Sequence, residues 1–383
     1  MKQSIRLGRI AGVPVGVHWS VLVIVALIGG ILGASVLPAM VPHQPVAAYW
    51  AVAVPGALLF VAALLAHELA HAVVARRKGV PVRSITLWAL GGVAELGGDP
   101  PTARADLQIA VAGPATSLAA GLVFGGLWAI VRAADGPALL SAALFWLAVM
   151  NGLLAVFNLL PGAPLDGGRI LRAALWFRYR DRTRAARAAA NAGRVVGVLL
   201  IAVGVGEFLA WRDAGGLWLG LIGMFVISAA AAEAANETAA AALAGLRVRD
   251  VMTPDPAVGA SWMTVTDFIS RVAMHSSQGV FPVVAFDGTV AGVTSVDLIG
   301  RVPAEDRAIT PLGRVMLPVP AEYLAGPDDP AAPLLGRRPL AGELSAIVTD
   351  EGRIVGLVTV ENLRRVVRRA ALRAEPAHAG PSA

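Results

Sequence analysis

Six long apolar stretches limit what this chain can fold into. They run at about Trp19–Leu37, Ala47–Val74, Leu107–Val131, Ala138–Leu160, Val195–Trp211 and Leu217–Ala232. About 20 apolar residues suffice to cross a hydrocarbon core. Within that core the protein itself must satisfy every backbone amide, so stretches of this length are helices. The chain is 56% hydrophobic and 15% charged, against about a quarter charged in soluble domains. An α-helical polytopic membrane protein with about six transmembrane helices follows. The first stretch has no convincing small-residue cleavage site before polar sequence, so it is expected to be a retained span and not a signal peptide.

Charge placement sets the expected orientation. Lys2, Arg6 and Arg9 precede the first stretch, Arg76, Arg77, Lys78 and Arg83 follow the second, and eight arginines from Arg169 to Arg194 lie between the fourth and fifth. The opposite connections carry only His43, Arg132 with Asp135, and Arg212 with Asp213. Positive residues stay in the cytoplasm, so both termini are expected there, in a bacterial cell membrane. The net charge of +6 is thereby explained by topology, and nucleic acid is not expected as a partner. The chain has no cysteine, which excludes disulfides and thiolate metal sites.

Within the second stretch stands His67-Glu68-Leu69-Ala70-His71. Residues four apart on a helix share a face, so both imidazoles can reach one metal. Zinc takes imidazole nitrogen and, in hydrolases, keeps a position open for water. Glu68 lies beside that position and can take the proton of the water. Ionisable residues in a bilayer segment are costly and point to function. A hydrolytic zinc site normally needs a third protein ligand. The fourth stretch ends in Asn158-Leu159-Leu160-Pro161-Gly162-Ala163-Pro164-Leu165-Asp166-Gly167-Gly168-Arg169, where Asp166 can approach from a second element at the same membrane depth. Taken alone, Asp166 reads as a turn residue or a helix N-cap sooner than as a ligand. Val82–Leu96 reads as short strands broken by Gly91-Gly92, able to pair with an unwound substrate, or else as an ordinary cytoplasmic loop. Gly91–Gly98 could line a polar cavity that admits water.

Together the two motifs, H-E-x-x-H and N-x-x-P-x-x-x-L-D-G, resemble the site-2 protease family of intramembrane zinc metalloproteases. Gly12–Ser20 and Ala112-Gly113-Pro114-Ala115 are similar to further family segments. The resemblance covers residues 1–235. It implies one zinc ion per chain on His67, His71 and Asp166, with Glu68 as general base. It also implies that Asn158 polarises the scissile carbonyl or holds an unwound substrate; otherwise Asn158 is a buried amide capping the helix end. The substrate it implies is a membrane-spanning protein, of the anti-sigma or membrane-tethered regulatory kind, cut by regulated intramembrane proteolysis.

After residue 235 the composition changes to regular charges, prolines and alternating apolar runs, the pattern of a cytoplasmic α/β domain. An internal repeat is visible: Val248–Met252, Phe281–Val284 and Val290–Leu298, then Leu312–Met316, Ala346–Val348 and Ile354–Leu363. It resembles a tandem cystathionine-β-synthase (CBS) pair spanning 246–369, which makes the chain similar to the CBS-bearing subgroup of that protease family. The resemblance implies an adenine nucleotide contacted by Thr294, Asp297 and Thr359. Asn362 replaces the second acid. A structural role, or homodimer formation through the CBS domains, is the other reading. The Ala- and Pro-rich tail, 370–383, is expected to be disordered. The competing function is a CBS-gated membrane transporter or channel, which leaves the full hydrolytic set of residues unexplained. A catalytically inactive relative is a further alternative, against which the intact Glu68 argues.

Overall fold

The N-terminal unit, Met1–Ala235, opens with a hairpin. Strands β1 (Ile5–Ile10) and β2 (Val13–Val17) pair antiparallel across Ala11 and Gly12, both at positive φ (50° and 76°), the turn whose twist suits a hairpin. Strand β2 runs parallel to β3 (Val82–Trp88), and β3 antiparallel to β4 (Gly91–Leu96), so the sheet order is β1-β2-β3-β4. The segment 82–96, expected as strands or a loop, is thus a strand pair within a larger sheet. This computed structural model describes residues 5–88, 91–212 and 214–374.

Among the described residues six helical segments are long and apolar enough to cross a membrane. The first combines α1 (Ser20–Ile31), a π-helical turn at Leu32–Val36, and α2 (Leu37–Met40). It is followed by α3 (Val46–Arg77), α4 (Ala103–Ala133) and α5 (Ala138–Asn158). Next comes α6 (Asp166–Tyr179), which is no span, and then the spans α7 (Arg182–Trp211) and α8 (Ala214–Leu243). The arginine-rich connection is therefore helical for most of its length, as its arginines, alanines and leucines favour. Asp181 caps α7 by accepting from the amide of Arg184 at 3.0 Å.

At 32 residues, α3 is about 48 Å long at 1.5 Å per residue, longer than a hydrocarbon core. It stops where Gly79 turns to φ 80°. The amides of Gly79 and Val80 then bond the carbonyls of Arg76 and Ala75, each at 3.0 Å, a Schellman ending. Against this end sits the sheet: Val13, Val15 and Ile85 are buried with Ala72, and Arg76 donates to the Ala11 carbonyl at 2.6 Å. Burial of one sheet face on α3 brings β4 beside Glu68.

The second unit, Asn236–Ala383, contains α9 (Val248–Val251), β5 (Thr253–Pro254), β6 (Gly259–Ala260), α10 (Val265–Arg271), β7 (Val280–Val284), β8 (Val290–Ser295) and α11 (Val296–Gly300). It continues with β9 (Leu324–Ala325), β10 (Leu344–Asp350), β11 (Arg353–Thr359) and α12 (Val360–Ala374). The sheets are β6-β7-β8 and β5-β11-β10-β9. Each repeat contributes an antiparallel pair followed by a helix, and the two share a core of Val280, Val293, Leu344, Ile347 and Leu357. The repeats also exchange their leading segments: Met252 packs over Gly356 and Met316 over Gly292. Residues 370–374, expected in the disordered tail, are helical. Helix α12 runs to Ala374 because Arg, Ala and Leu at 364–374 are strong helix formers, and residues 375–383 lie outside the described residues.

Candidate metal centre

His67 and His71 lie one turn apart on α3 and are buried, at 3% and 6% exposure. Their Nε2 atoms are 3.2 Å apart. Asp166 Oδ2 is 3.2 Å from His67 Nε2 and 3.1 Å from His71 Nε2, so three ligand atoms form a near-equilateral triangle. Around a tetrahedral zinc with bonds of about 2.0–2.1 Å, neighbouring ligands are about 3.3–3.4 Å apart. The triangle is therefore the size of one face of a zinc tetrahedron.

The other nitrogen of each ring fixes how it presents itself. His71 Nδ1 donates to the Ile109 carbonyl at 2.7 Å, which leaves the lone pair on Nε2. His67 Nδ1 bonds Ser117 Oγ at 2.8 Å. Ile109, Gly113 and Ser117 recur at four-residue spacing, so they share one face of α4. A Cβ on Gly113 would fall within contact of both Nε2 atoms, in the space that a metal needs. Lone pairs of an imidazole and a carboxylate facing each other at about 3 Å call for a cation between them. On donor set, spacing and vacant volume the residues fit zinc.

Asp166 reaches the histidines by a sharp reversal after α5. Leu159–Leu165 forms a turn with a cis Ala163–Pro164 peptide, and α6 starts at Asp166, with Leu165 as its N-cap. Asp166 is thus the first helical residue and not the cap. Gly167 lies on the Leu159 and Leu160 carbonyls and Gly168 on Gly162 and Ala163, where side chains would clash with backbone. Burial pushes the Asp166 carboxyl up, but its close contacts with the His67 and His71 rings outweigh that and bring the group down to about 2.

A cavity of about 490 Å³ opens on the triangle and is also lined by Glu68, Asn158, Gly91, Gly92 and Arg169. A Cβ on Gly92 would strike the Glu68 side chain, so β4 holds the carboxylate in place by close backbone approach. Asn158 lines the cavity, but its amide donates to the Leu154 carbonyl of its own helix at 3.0 Å.

Sequence reasoning missed the supports. Ser117 and the Ile109 carbonyl carried no signal of their own, although Gly113-Pro114 had marked this helix. Also unforeseen is a buried ion cluster. Asp106 on α4, 0% exposed, accepts from Arg172 Nε and Nη2 at 2.9 Å each and from Arg169 Nη2 at 3.4 Å. Arg172 also lies 3.6 Å from Glu233 of α8. The cluster ties α6, and with it Asp166, to the helix that orients the histidines.

In the second unit the residues matched to nucleotide binding stand in different settings. Thr294 is inside β8, 0% exposed, and its hydroxyl donates to the Val315 carbonyl at 2.8 Å, so it is not offered to a ligand. The register explains why. Val280 faces Ser295 as Leu344 faces Thr359, and Ser295 and Thr359 accept from the amides three residues on. Ser295, not Thr294, is therefore the counterpart of Thr359. Asn362 Oδ1 accepts from the Thr359 amide and hydroxyl at 2.8 and 2.7 Å, a capping box, while Asp297 is exposed in the first turn of α11.

Comparison with known proteins identifies relatives of the chain. The family model of peptidase family M50 matches residues 55–134 and 124–203. Rip3 of Mycobacterium tuberculosis, a protein that bears a zinc metalloprotease name, is 45% identical over 368 residues, 96% of this chain and 93% of that protein. A zinc metalloprotease of Methanocaldococcus jannaschii is 30% identical over 79% of this chain and 80% of its own length. The solved site-2 protease of that archaeon is 30% identical, covering 60% of this chain and 94% of its own, with a TM-score of 0.41. The CBS domain of a bacterial CNNM/CorC family Mg2+ transporter, in a complex with ATP, covers 36% of this chain at 23% identity and a TM-score of 0.30. With nearly its full length shared with Rip3 at that identity, the chain belongs to peptidase family M50.

Proposed function

We propose that His67, His71 and Asp166 hold one zinc ion and that Glu68 is the general base of peptide-bond hydrolysis in a membrane-embedded substrate. The chain is a metalloprotease of a family that acts within membranes; the assignment of roles to residues is the new reading. Its main support is the triangle of ligand atoms closing around the space that Gly113 leaves. When bound, zinc supplies a Lewis acid that acidifies water and polarises a carbonyl. Glu68, held against Gly92, accepts the proton from the attacking water and returns it to the leaving amine. Asp166 and His71 keep their ligand atoms turned inward, the latter through the Ile109 carbonyl. Asn158 lines the path of the substrate, where its carboxamide oxygen is left to accept a backbone amide. A substrate helix must unwind to expose its scissile carbonyl, so helix-weakening residues near the cut should favour cleavage.

The same reading places both termini in the cytoplasm and the catalytic end of α3 at the inner face, from the distribution of arginine and lysine. It gives the second unit a regulatory task, through homodimer formation or through an adenine nucleotide contacted by Asp297 and Thr359. The substrate class is a single-span regulatory protein, in the manner of an anti-sigma factor. A transporter gated by the second unit leaves the ligand triangle without a purpose.

The decisive experiment measures zinc and cleavage together. Glu68→Gln should retain about one zinc per chain and lose cleavage, because an amide cannot take the proton. Asp166→Ala should lose zinc. Normal cleavage by Glu68→Gln, or full zinc in Asp166→Ala, would refute the assignment. Calorimetric titration of the full chain with ATP, ADP and AMP tests the nucleotide, and Asp297→Ala should weaken any binding without touching zinc.

A further inference from the structure

The chemistry assigned so far leaves one charged group in the cavity without a task. Arg169 lies on α6 three residues beyond Asp166 and lines the same cavity. Residues at i and i+3 share a helix face, so Arg169 leaves α6 on the side of Asp166. Among the described lining residues it is the only permanent cation. Asp106 holds it through a single bond of 3.4 Å, whereas Arg172 takes the same carboxylate with two bonds of 2.9 Å. A guanidinium has five N–H donors, so Asp106 tethers Arg169 without using it up. Its side chain retains 22% exposure.

We propose that Arg169 is a catalytic residue: its guanidinium donates to the scissile carbonyl oxygen as that oxygen gains negative charge, and then to the carboxylate formed from it. This rests on the hydrolytic reading above. In that reaction the oxygen of water bonds to the acyl carbon, the C–N bond breaks with its electron pair going to nitrogen, and the amine leaves with the proton that Glu68 carries. The acyl fragment ends as a carboxylate, and the planar fork of arginine matches two carboxylate oxygens. Apolar walls of Leu64, Trp88, Leu154 and Phe157 keep screening low, which raises the weight of one fixed charge. Asp106 and Arg172 are positioning residues, holding α6 on α4 and steadying the base of the Arg169 side chain.

The test uses the full chain in detergent, with fluorescein-labelled casein as substrate and zinc measured by atomic absorption. Arg169→Gln should keep its zinc and fold, lose roughly 100-fold in kcat as a missing oxyanion donor does, and change KM by no more than about threefold. Added guanidinium should restore part of the activity of Arg169→Ala and none of that of Glu68→Gln. Independently of turnover, metal-stripped Arg169→Gln should bind acetyl-leucyl-leucine about tenfold more weakly than the unmodified chain, as expected for a lost charged hydrogen bond. The C-terminal amide of that dipeptide should bind both alike. Full turnover by a folded, zinc-loaded Arg169→Gln overturns the proposal. Loss of turnover that accompanies loss of zinc, or that guanidinium does not relieve, overturns it too. If the unmodified chain carries no zinc, or Glu68→Gln cleaves normally, the protease assignment fails, and this one with it.

Discussion

In the membrane unit the buried polar side chains form two bonded groups, His67, His71 and Ser117 across α3 and α4 and Asp106 with Arg172 across α4 and α6, and the histidines face a cavity. In the second unit Thr294, Ser295 and Asn362 are just as buried, yet Thr294 bonds a backbone carbonyl and Ser295 and Asn362 cap helices, with one side-chain bond from Asn362 to Thr253 Oγ1 at 3.0 Å. A hydrogen bond to nearby backbone satisfies a group and goes no further, whereas a chain of side chains from separate helices fixes the geometry of a distant atom. Burial of polar groups is therefore no guide to function until their partners are known. The membrane unit builds a site with them and the second unit builds junctions.

Four substitutions probe this contrast, and the largest effect is expected at Gly113. Alanine there is the better helix former by about 1 kcal/mol, but its methyl would stand between the two Nε2 atoms. Gly113→Ala should leave a folded protein with zinc and cleavage both abolished, read by metal analysis and thermal unfolding. Retention of zinc would mean that the metal lies elsewhere. Asp106→Ala comes next. It leaves Arg172 buried without its bidentate partner, at a cost of about 3–5 kcal/mol, visible as a lowered melting temperature. An unchanged melting point would show that the cluster does not brace α6.

Ser117→Ala removes only the partner of His67 Nδ1. Loss of such an outer partner typically lowers metal affinity by about 10–100-fold, measurable by competition with a chelator, with little change in melting. The smallest effect is expected in the second unit: Thr294→Val should cost about 1–2 kcal/mol, since the Val315 carbonyl loses its donor, and leave nucleotide titrations as they were. A change in nucleotide affinity without a change in stability would restore Thr294 to a ligand role and erase the contrast.

The two motifs differed in legibility for a geometric reason. In H-E-x-x-H the spacing acts through one regular helix, where four residues always bring side chains to the same face. The T-x-x-D match straddles the junction of β8 and α11, where a shift of one residue exchanges an inward side chain for a capping one. Thr294 and Ser295 stand on either side of that shift, and only strand register distinguishes them.

The sequence by itself determined the six spans, because bilayer thickness and backbone hydrogen bonding admit few alternatives, and it determined His67 and His71 as a pair through helical periodicity. It also pointed to Asp166, through the Pro and Gly punctuation of its turn. Only the tertiary structure decided that the Ile109 carbonyl and Ser117 orient the rings, that Gly113 leaves room for an ion, and that Asp106 binds two arginines of another helix. Those contacts join residues separated by 38 to 66 positions. No local pattern encodes such distances; they arise when helices settle against one another and their buried polar groups must find partners.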